Sequence, residues 1–220
     1  MEQTANLKQP CGHAAEHGVP HSCATISRKD PVDADTREWF PMRVTYNREL
    51  KVKSCLDALG IENFLPMQYK IIEDRKGRRM QHVPAIHNLL FIHSDEATLT
   101  TLKRTQRGLE PLRYMTRPLA GVPGVKEIIR VPKLQMENFM RVATIEDERV
   151  MFLDYNDFIA RPGRKVRITE GVFAGVEGVV KRIKNNRHVV VQIEGVAAVA
   201  ITYVPANCLT AVEEEGESER

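Results

Sequence analysis

No stretch of the 220-residue sequence approaches the roughly 18 to 20 consecutive apolar residues that a membrane-crossing helix needs, so a spanning helix is excluded. The first 30 residues also lack a continuous apolar segment, because His13, Glu16, His17, Ser22 and Arg28 interrupt every run. No secretory signal is therefore expected, and the expected location is cytoplasmic. Cysteine is scarce: Cys11, Cys23, Cys55 and Cys208 are scattered along the chain, as suits reduced thiols with no disulfides. A G-x-x-x-x-G-K-[ST] loop is missing, which excludes a Walker-type nucleotide cradle. A large charge of one sign is missing too, since 32 basic residues face 29 acidic ones for a formal +3.

That average conceals an asymmetry. Residues 1–36 and 212–220 are both net acidic, leaving 28 bases against 19 acids between them. The middle of the chain is basic enough to lie near phosphates, or simply to be a well-solvated surface. With 42% apolar residues the chain can furnish a core for two small domains or one larger one. Residues 1–36 show neither helical nor strand periodicity and read as a flexible tail. Within them Cys11, His13, His17, His21 and Cys23 are possible Zn²⁺ ligands by type, but their spacing matches no standard zinc module. No metal or other cofactor is expected.

Periodic sequence begins at Glu38. Phe40, Met42 and Val44 alternate with Trp39, Pro41 and Arg43 as in a strand running to Tyr46. Asn47 is the expected cap of a helix whose buried stripe is Val52, Cys55, Leu56 and Leu59, with Gly60 as its stop. Residues 61–66 and 68–73 read as strands leading to the basic turn 74–79. The run Ile86 to Ile92 is apolar enough for a strand covered on both faces. A helix over 95–104, a short strand over 112–115 and a helix begun by Pro132, with Met136, Phe139, Met140 and Ala143 inward, complete an α+β unit. Its expected form is an antiparallel sheet sandwiched by helices over residues 37–145.

Residues 146–160 weaken the apolar pattern with five acids and read as a linker. From Arg161 the period becomes two: Val166 and Ile168, Val179, Val189 to Val191, Ile193, Val199 and Ile201, with a hairpin turn at Asn185-Asn186. Such short strands over 161–212 imply a small five-stranded β-barrel, followed by an acidic tail over 213–220. Gly171, Gly175 and Gly178 are spaced to let the chain turn tightly and re-enter the barrel.

Together with Val166, Ile168, Phe173 and Ile183, those glycines resemble a KOW motif. The preceding unit, through Trp39-Phe40, Arg48-Glu49, Ile61-Glu62, Phe64, Pro66 and Pro84 to Ile92, resembles the NGN domain of NusG-type transcription factors. More narrowly, Phe64 to Tyr69, Val83 to His93 and Tyr114 to Pro118 look like the UpxY-type antiterminators of capsular polysaccharide operons. The resemblance spans about residues 37–212 and implies a non-catalytic monomer. Its NGN domain would hold the clamp helices of RNA polymerase and suppress pausing and termination.

It implies an exposed apolar patch of Phe64, Pro66, Pro84, Ile86, Leu89 and Phe91 for the clamp contact, although each is an equal candidate for the sheet interior. One departure stands out: NusG-like sequences commonly place Pro-Gly or Pro-Asn and then an aromatic where this chain has His87-Asn88-Leu89. Arg43, Arg48, Lys51, Arg104 and Arg107 form either a basic face for non-template DNA or nascent leader RNA, or an ordinary solvated face. Phe173 stands where relatives contact termination factor Rho or a small-subunit ribosomal protein, or else it plugs the barrel end.

Two other classes compete with this reading. A ribosome-associated KOW-type RNA-binding protein would rely on Lys181, Arg182, Lys184 and Arg187. An enzyme would need His87 or His93 beside Cys55, or metal on the amino-terminal His/Cys stretch, and nothing in the pattern fixes a base beside a nucleophile.

Overall fold

A computed structural model describes residues 37–74, 77–153, 163–183 and 186–212. The amino-terminal His/Cys stretch, Arg75-Lys76, the second half of the expected linker, Lys184-Asn185 and the acidic tail lie outside the described residues.

The first layer is a four-stranded antiparallel sheet in the order β2-β5-β1-β6, built from β1 (Glu38–Val44), β2 (Asn63–Phe64), β5 (Leu89–Ser94) and β6 (Leu112–Tyr114). Its alternation sends Phe40, Met42, Val44, Leu90 and Ile92 to one face. There they pack with Val52 and Leu56 of α1 (Glu49–Ala58) and Leu99 of α2 (Glu96–Thr105). Asp95 caps α2 by accepting a 2.7 Å hydrogen bond from the Thr98 amide, and that bond is the chief cause lowering its pKa.

The opposite face carries Trp39, Leu89 and Phe91, which are equally buried because α3 (Lys133–Ala143) covers them with Met136, Phe139 and Val142. A sheet covered on both sides has no solvent-facing half, so the two-periodic signal in β1 does not mark an outer face. Beside this sheet project two hairpins, β3 (Met67–Asp74) with β4 (Gly77–Pro84), and β7 (Thr116–Pro118) with β8 (Lys126–Ile128). Periodicity gives no sign of the second.

Several local expectations are corrected. Strand β1 stops at Val44, and residues 45–47 form a 3₁₀ turn. Asn47 does not cap α1; Arg48 holds that position without a side-chain cap, and Asn47 itself is left-handed at φ 50°. Cys55 is half-buried and Leu59 is exposed, because the buried stripe of α1 is Glu49, Val52 and Leu56. Gly60, at φ +68°, does end the helix, in a conformation that a side chain would strain.

The carboxy-terminal unit is an antiparallel sheet of six strands rather than five. Its order is β14-β10-β11-β12-β13-β9, from β9 (Val150–Leu153), β10 (Arg164–Ile168), β11 (Glu177–Ile183), β12 (Asn186–Ile193), β13 (Ala197–Thr202) and β14 (Leu209–Ala211). The extra strand, β9, comes from the stretch expected to be linker. Its four residues Val-Met-Phe-Leu are too short a run to register against the surrounding acids, yet they find an open edge at β13.

Just before β9, Arg149 binds the Asp147 carboxylate through its side chain at 2.6–3.1 Å and through its backbone amide at 2.8 Å. These bonds hold Asp147 at about 2, against an ordinary 3.8. A carboxyl depressed by folding stabilises fully above its unfolded pKa and loses that contribution as pH falls through the folded value. Between pH 4 and pH 2 the parent protein should therefore lose thermal stability faster than Asp147→Asn does. Equal losses in the two melting series would show that the pair does not act on folding.

Helix α3 lies against β1 on one side and against β12 and β13 on the other. Phe139, Met136 and Val142 thus share one continuous apolar cluster with Val166, Ile168, Phe173, Val189, Val191 and Val199. Polar links reinforce it: Asn138 Oδ1 accepts from the Glu177 amide at 3.4 Å, and Arg141 Nη1 donates to the Ala174 carbonyl at 3.3 Å.

Candidate functional site

The six residues expected to form an exposed apolar patch do not do so. Leu89 and Phe91 are interior, at 3% and 0% exposure, and Pro66 is buried as well. Burial wins for Leu89 and Phe91 because both point to the α3 face. Phe64, Pro84 and Ile86 remain half-buried, with Phe64 on the outermost strand. The Phe64 ring packs against Phe91 (6.5 Å between centroids) and edge-on against Phe139 (6.4 Å), so its partly open side is held by a rigid aromatic backing. Pro66 and Pro84 are brought together where the Ala85 amide donates to the Pro66 carbonyl at 2.8 Å and Met67 pairs with Pro84.

The basic residues separate into two groups. Arg43 pairs across the sheet with Leu89 and so faces α3, away from the others. Arg48 and Lys51 stand on the exposed side of α1. Arg107 is drawn beside that helix by its carbonyl, which lies 3.6 Å from Cys55 Sγ. Arg104 is exposed in the last turn of α2, in the same helical layer. None of these four carries an ion pair among the described residues. Neighbouring bases are committed elsewhere. Lys53 binds Asp57, and Arg130 bridges Glu38 and Glu96. Lys103 sits 4.1 Å from the Tyr114 ring centroid, with its pKa pushed down mainly by burial.

At the amino end of α1 two loops are tied into one edge. The Val44 amide donates to the Asn88 carbonyl at 3.0 Å, and the Asn88 amide donates to the buried Glu49 carboxylate at 2.7 Å. Three non-glycine residues there are left-handed: Tyr46 at φ 66°, Asn47 at φ 50° and Asn88 at φ 59°. Strain of this kind persists only where surrounding bonds impose it. Its product is Tyr46, 82% exposed, with the Arg48 guanidinium 5.7 Å from the ring centroid. Sequence reasoning omits Tyr46 and Glu49. Asn at 47 and 88 hints at left-handed backbone, whereas nothing local marks Tyr46.

In the carboxy-terminal sheet, Gly171 and Gly175 are left-handed at φ +82° and +84°. Gly178 serves a different purpose: a Cβ there would lie 2.8 Å from Val189 Cγ1 and 2.8 Å from the Val190 carbonyl oxygen. Phe173 is 3% exposed, beneath the Arg149 guanidinium at 5.2 Å, and belongs to the core shared with α3. It is therefore not presented to a partner in this arrangement; Val172 next to it is 61% exposed instead.

Among the described residues no catalytic set is gathered. His93 stacks on Trp39 at 4.9 Å and bonds Glu62 at 2.7 Å on one face of the first sheet, while Cys55 packs with the cluster on the other. His87 is exposed in the turn before β5. Among the described residues no three His, Cys, Asp or Glu side chains are placed to hold a metal ion.

The family model described as transcription termination factor nusG matches residues 37–140. Those residues are a NusG-family domain. The matched span covers α1, α2, most of α3 and the whole four-stranded sheet, so the half-buried Phe64, Pro84 and Ile86 and the Arg48 edge lie within it. A NusG-like domain implies a transcription elongation/termination factor that works by binding rather than by catalysis and, through the family, a contact with RNA polymerase.

Among solved structures, a study of domain interaction in Thermotoga maritima NusG is similar at 14% identity and a TM-score of 0.39, covering 80% of this chain and 98% of that one. A crystal structure of the MjSpt4:Spt5 complex in conformation B is similar at 14% identity and a TM-score of 0.21, covering 80% and 97%. A search of the curated proteins finds no match.

Proposed function

We propose that the protein binds the clamp helices of RNA polymerase through Phe64, Pro84 and Ile86 of its NusG-family domain. In doing so it suppresses pausing and termination in the cytoplasm. The observation that carries this reading is the aromatic backing of Phe64 by Phe91 and Phe139, which makes a half-open apolar edge rigid before any partner arrives. Antitermination requires more than affinity. A bound factor shifts the polymerase toward elongation only by the difference between its affinities for the elongating and the paused states.

Arg48, Lys51, Arg104 and Arg107, with the exposed Tyr46 ring, supply a second contact. They meet the phosphates of non-template DNA or nascent leader RNA, positioning the factor rather than reading sequence. Specialisation for polysaccharide operons is supported by the stretches Phe64 to Tyr69 and Val83 to His93.

The test is binding of the full-length protein to the clamp-helix fragment of RNA polymerase from the same organism. Phe64→Ala and Ile86→Ala are measured alongside, each checked for folding by circular dichroism. Truncating a central apolar anchor should weaken binding by about tenfold or more. Parent protein that does not bind, or folded variants that bind as the parent does, would remove the clamp contact from this surface.

A further inference from the structure

At the start of β10, the end of that strand away from the Phe173 turn, the carboxy-terminal sheet holds a cavity of about 310 Å³. The register sets Val180 opposite both Arg164 and Val189, and Ala211 opposite Val166, so these side chains share the face that lines it. Left-handed Tyr203, at φ 56°, turns the chain at the end of β13, and Val204 and Ala206 beyond it form a further wall. His188 meets the cavity only from the neighbouring position of β12, since alternation sends its side chain to the other face. Arginines crowd the rim. Arg164 and Arg187 line the cavity, and Arg182 stands directly opposite Arg187 on the same face. Arg164 is the diagonal neighbour of Arg182, because its partner Val180 lies two residues along β11. Like charges placed across strands repel. All three arginines are exposed, none carries an ion pair among the described residues, and no described acidic side chain lines the cavity.

We propose that this cavity binds a small amphipathic monocarboxylate, an acyl or aryl acid whose apolar body fills the cavity and whose carboxylate lies among Arg164, Arg182 and Arg187. Small-ligand sites combine apolar walls with a few convergent polar groups in about 300–1,000 Å³, and this cavity meets that description at its lower end. Guanidinium forks match the two oxygens of a carboxylate, and an anion between them relieves the Arg182–Arg187 repulsion. A nucleotide or sugar fits poorly, because its hydroxyls and ring amides would face apolar walls and stay unpaired. An inorganic anion would leave the apolar space unfilled. The rim is also built in place: a Cβ on Gly163 would fall 2.5 Å from the Val180 carbonyl oxygen, and this close approach fixes where β10 begins and so where Arg164 stands. The site belongs to the other sheet from the clamp contact and the α1 edge proposed above, and its test needs no polymerase.

The experiment is a ¹H–¹⁵N correlation titration of the full chain with octanoate, and with octanamide and acetate as its apolar and its charged half alone. Octanoate should give saturable shifts centred on the Val166, Val180, Val189 and Leu209 amides, with an affinity about tenfold or more above either half, as expected when charge-assisted bonds add to apolar burial. Arg164→Gln with Arg187→Gln should bring octanoate down to the octanamide level. Ala211→Leu should block binding by filling the cavity from β14, an edge strand where Ala211 is exposed. Arg48→Gln with Lys51→Gln, which removes equal charge at the α1 edge, should leave octanoate binding unchanged. Thermal melting checks each variant, and none of these substitutions enters the buried core. The proposal is overturned by octanoate shifts that are absent or centred elsewhere, by acetate binding as tightly as octanoate, or by folded Arg164/Arg187 and Ala211 variants that bind as the parent does. Shifts of the same amides with a short oligo-U but not with octanoate would overturn it too, assigning the arginines to phosphate contacts.

Discussion

Phe139→Ala should destabilise the protein by about 3–5 kcal/mol, the usual cost of removing a buried aromatic ring. The loss should fall on both sheets at once. Phe139 is fully buried, packs against Phe91 at 5.6 Å and against Phe64 at 6.4 Å, and belongs to a cluster that continues through Phe173 and Val189 into the carboxy-terminal sheet. Because α3 is the shared wall, a cavity beneath it removes contacts from both sides. The single tryptophan, Trp39, lies in the first sheet and reports on it by fluorescence, whereas far-ultraviolet circular dichroism follows every strand. In urea the two probes should give coincident transitions, both moved to lower denaturant by the substitution. A Trp39 transition that moves while a second, dichroism-only transition stays in place would refute the shared core.

Gly178→Ala should cost about 1–3 kcal/mol, the range for overpacking a filled interior. Its added methyl would sit 2.8 Å from the Val189 side chain and 2.8 Å from the Val190 carbonyl, and the second of these is backbone that cannot rotate aside. Gly171→Ala should also destabilise, but by about 1 kcal/mol and for another reason: its φ of +82° is left-handed, and no atom lies within 4 Å of the added methyl. Asparagine separates the two mechanisms, since it tolerates left-handed backbone yet is larger than alanine. Gly171→Asn should be milder than Gly171→Ala, while Gly178→Asn should be worse than Gly178→Ala. Chemical denaturation of the four variants decides it, and the same order at both positions would mean that one mechanism governs both.

Much of the fold was legible because it follows from local periodicity. The stripe of Val52 and Leu56, the stop at Gly60, the continuous apolar run of β5 and the β-branched blocks of β12 and β13 each appear at their expected places. Surface position was much less legible. Leu89 and Phe91 have the same composition whether they meet solvent, α3 or a partner, and only the packing of Phe139 decides among these. Arg43 and Arg48 are close in sequence, yet strand parity sends Arg43 to the α3 face while Arg48 opens α1. The strained Tyr46 was invisible, because its conformation is imposed by bonds from Glu49 and Val44 to Asn88, some forty residues away along the chain.

By itself, then, the sequence determined the α+β class with its carboxy-terminal all-β region, the helices and most strands, and the glycine pattern of the carboxy-terminal turn. These depend on side-chain alternation and backbone freedom within a few residues. Tertiary structure alone decided that β9 leaves the expected linker to complete a sixth strand, that α3 is buried on two sides, that Phe173 points inward, and which apolar and basic residues stay accessible. The physical reason is that burial is a property of what lies opposite a residue, and in this chain the opposing surfaces come from segments tens of residues apart.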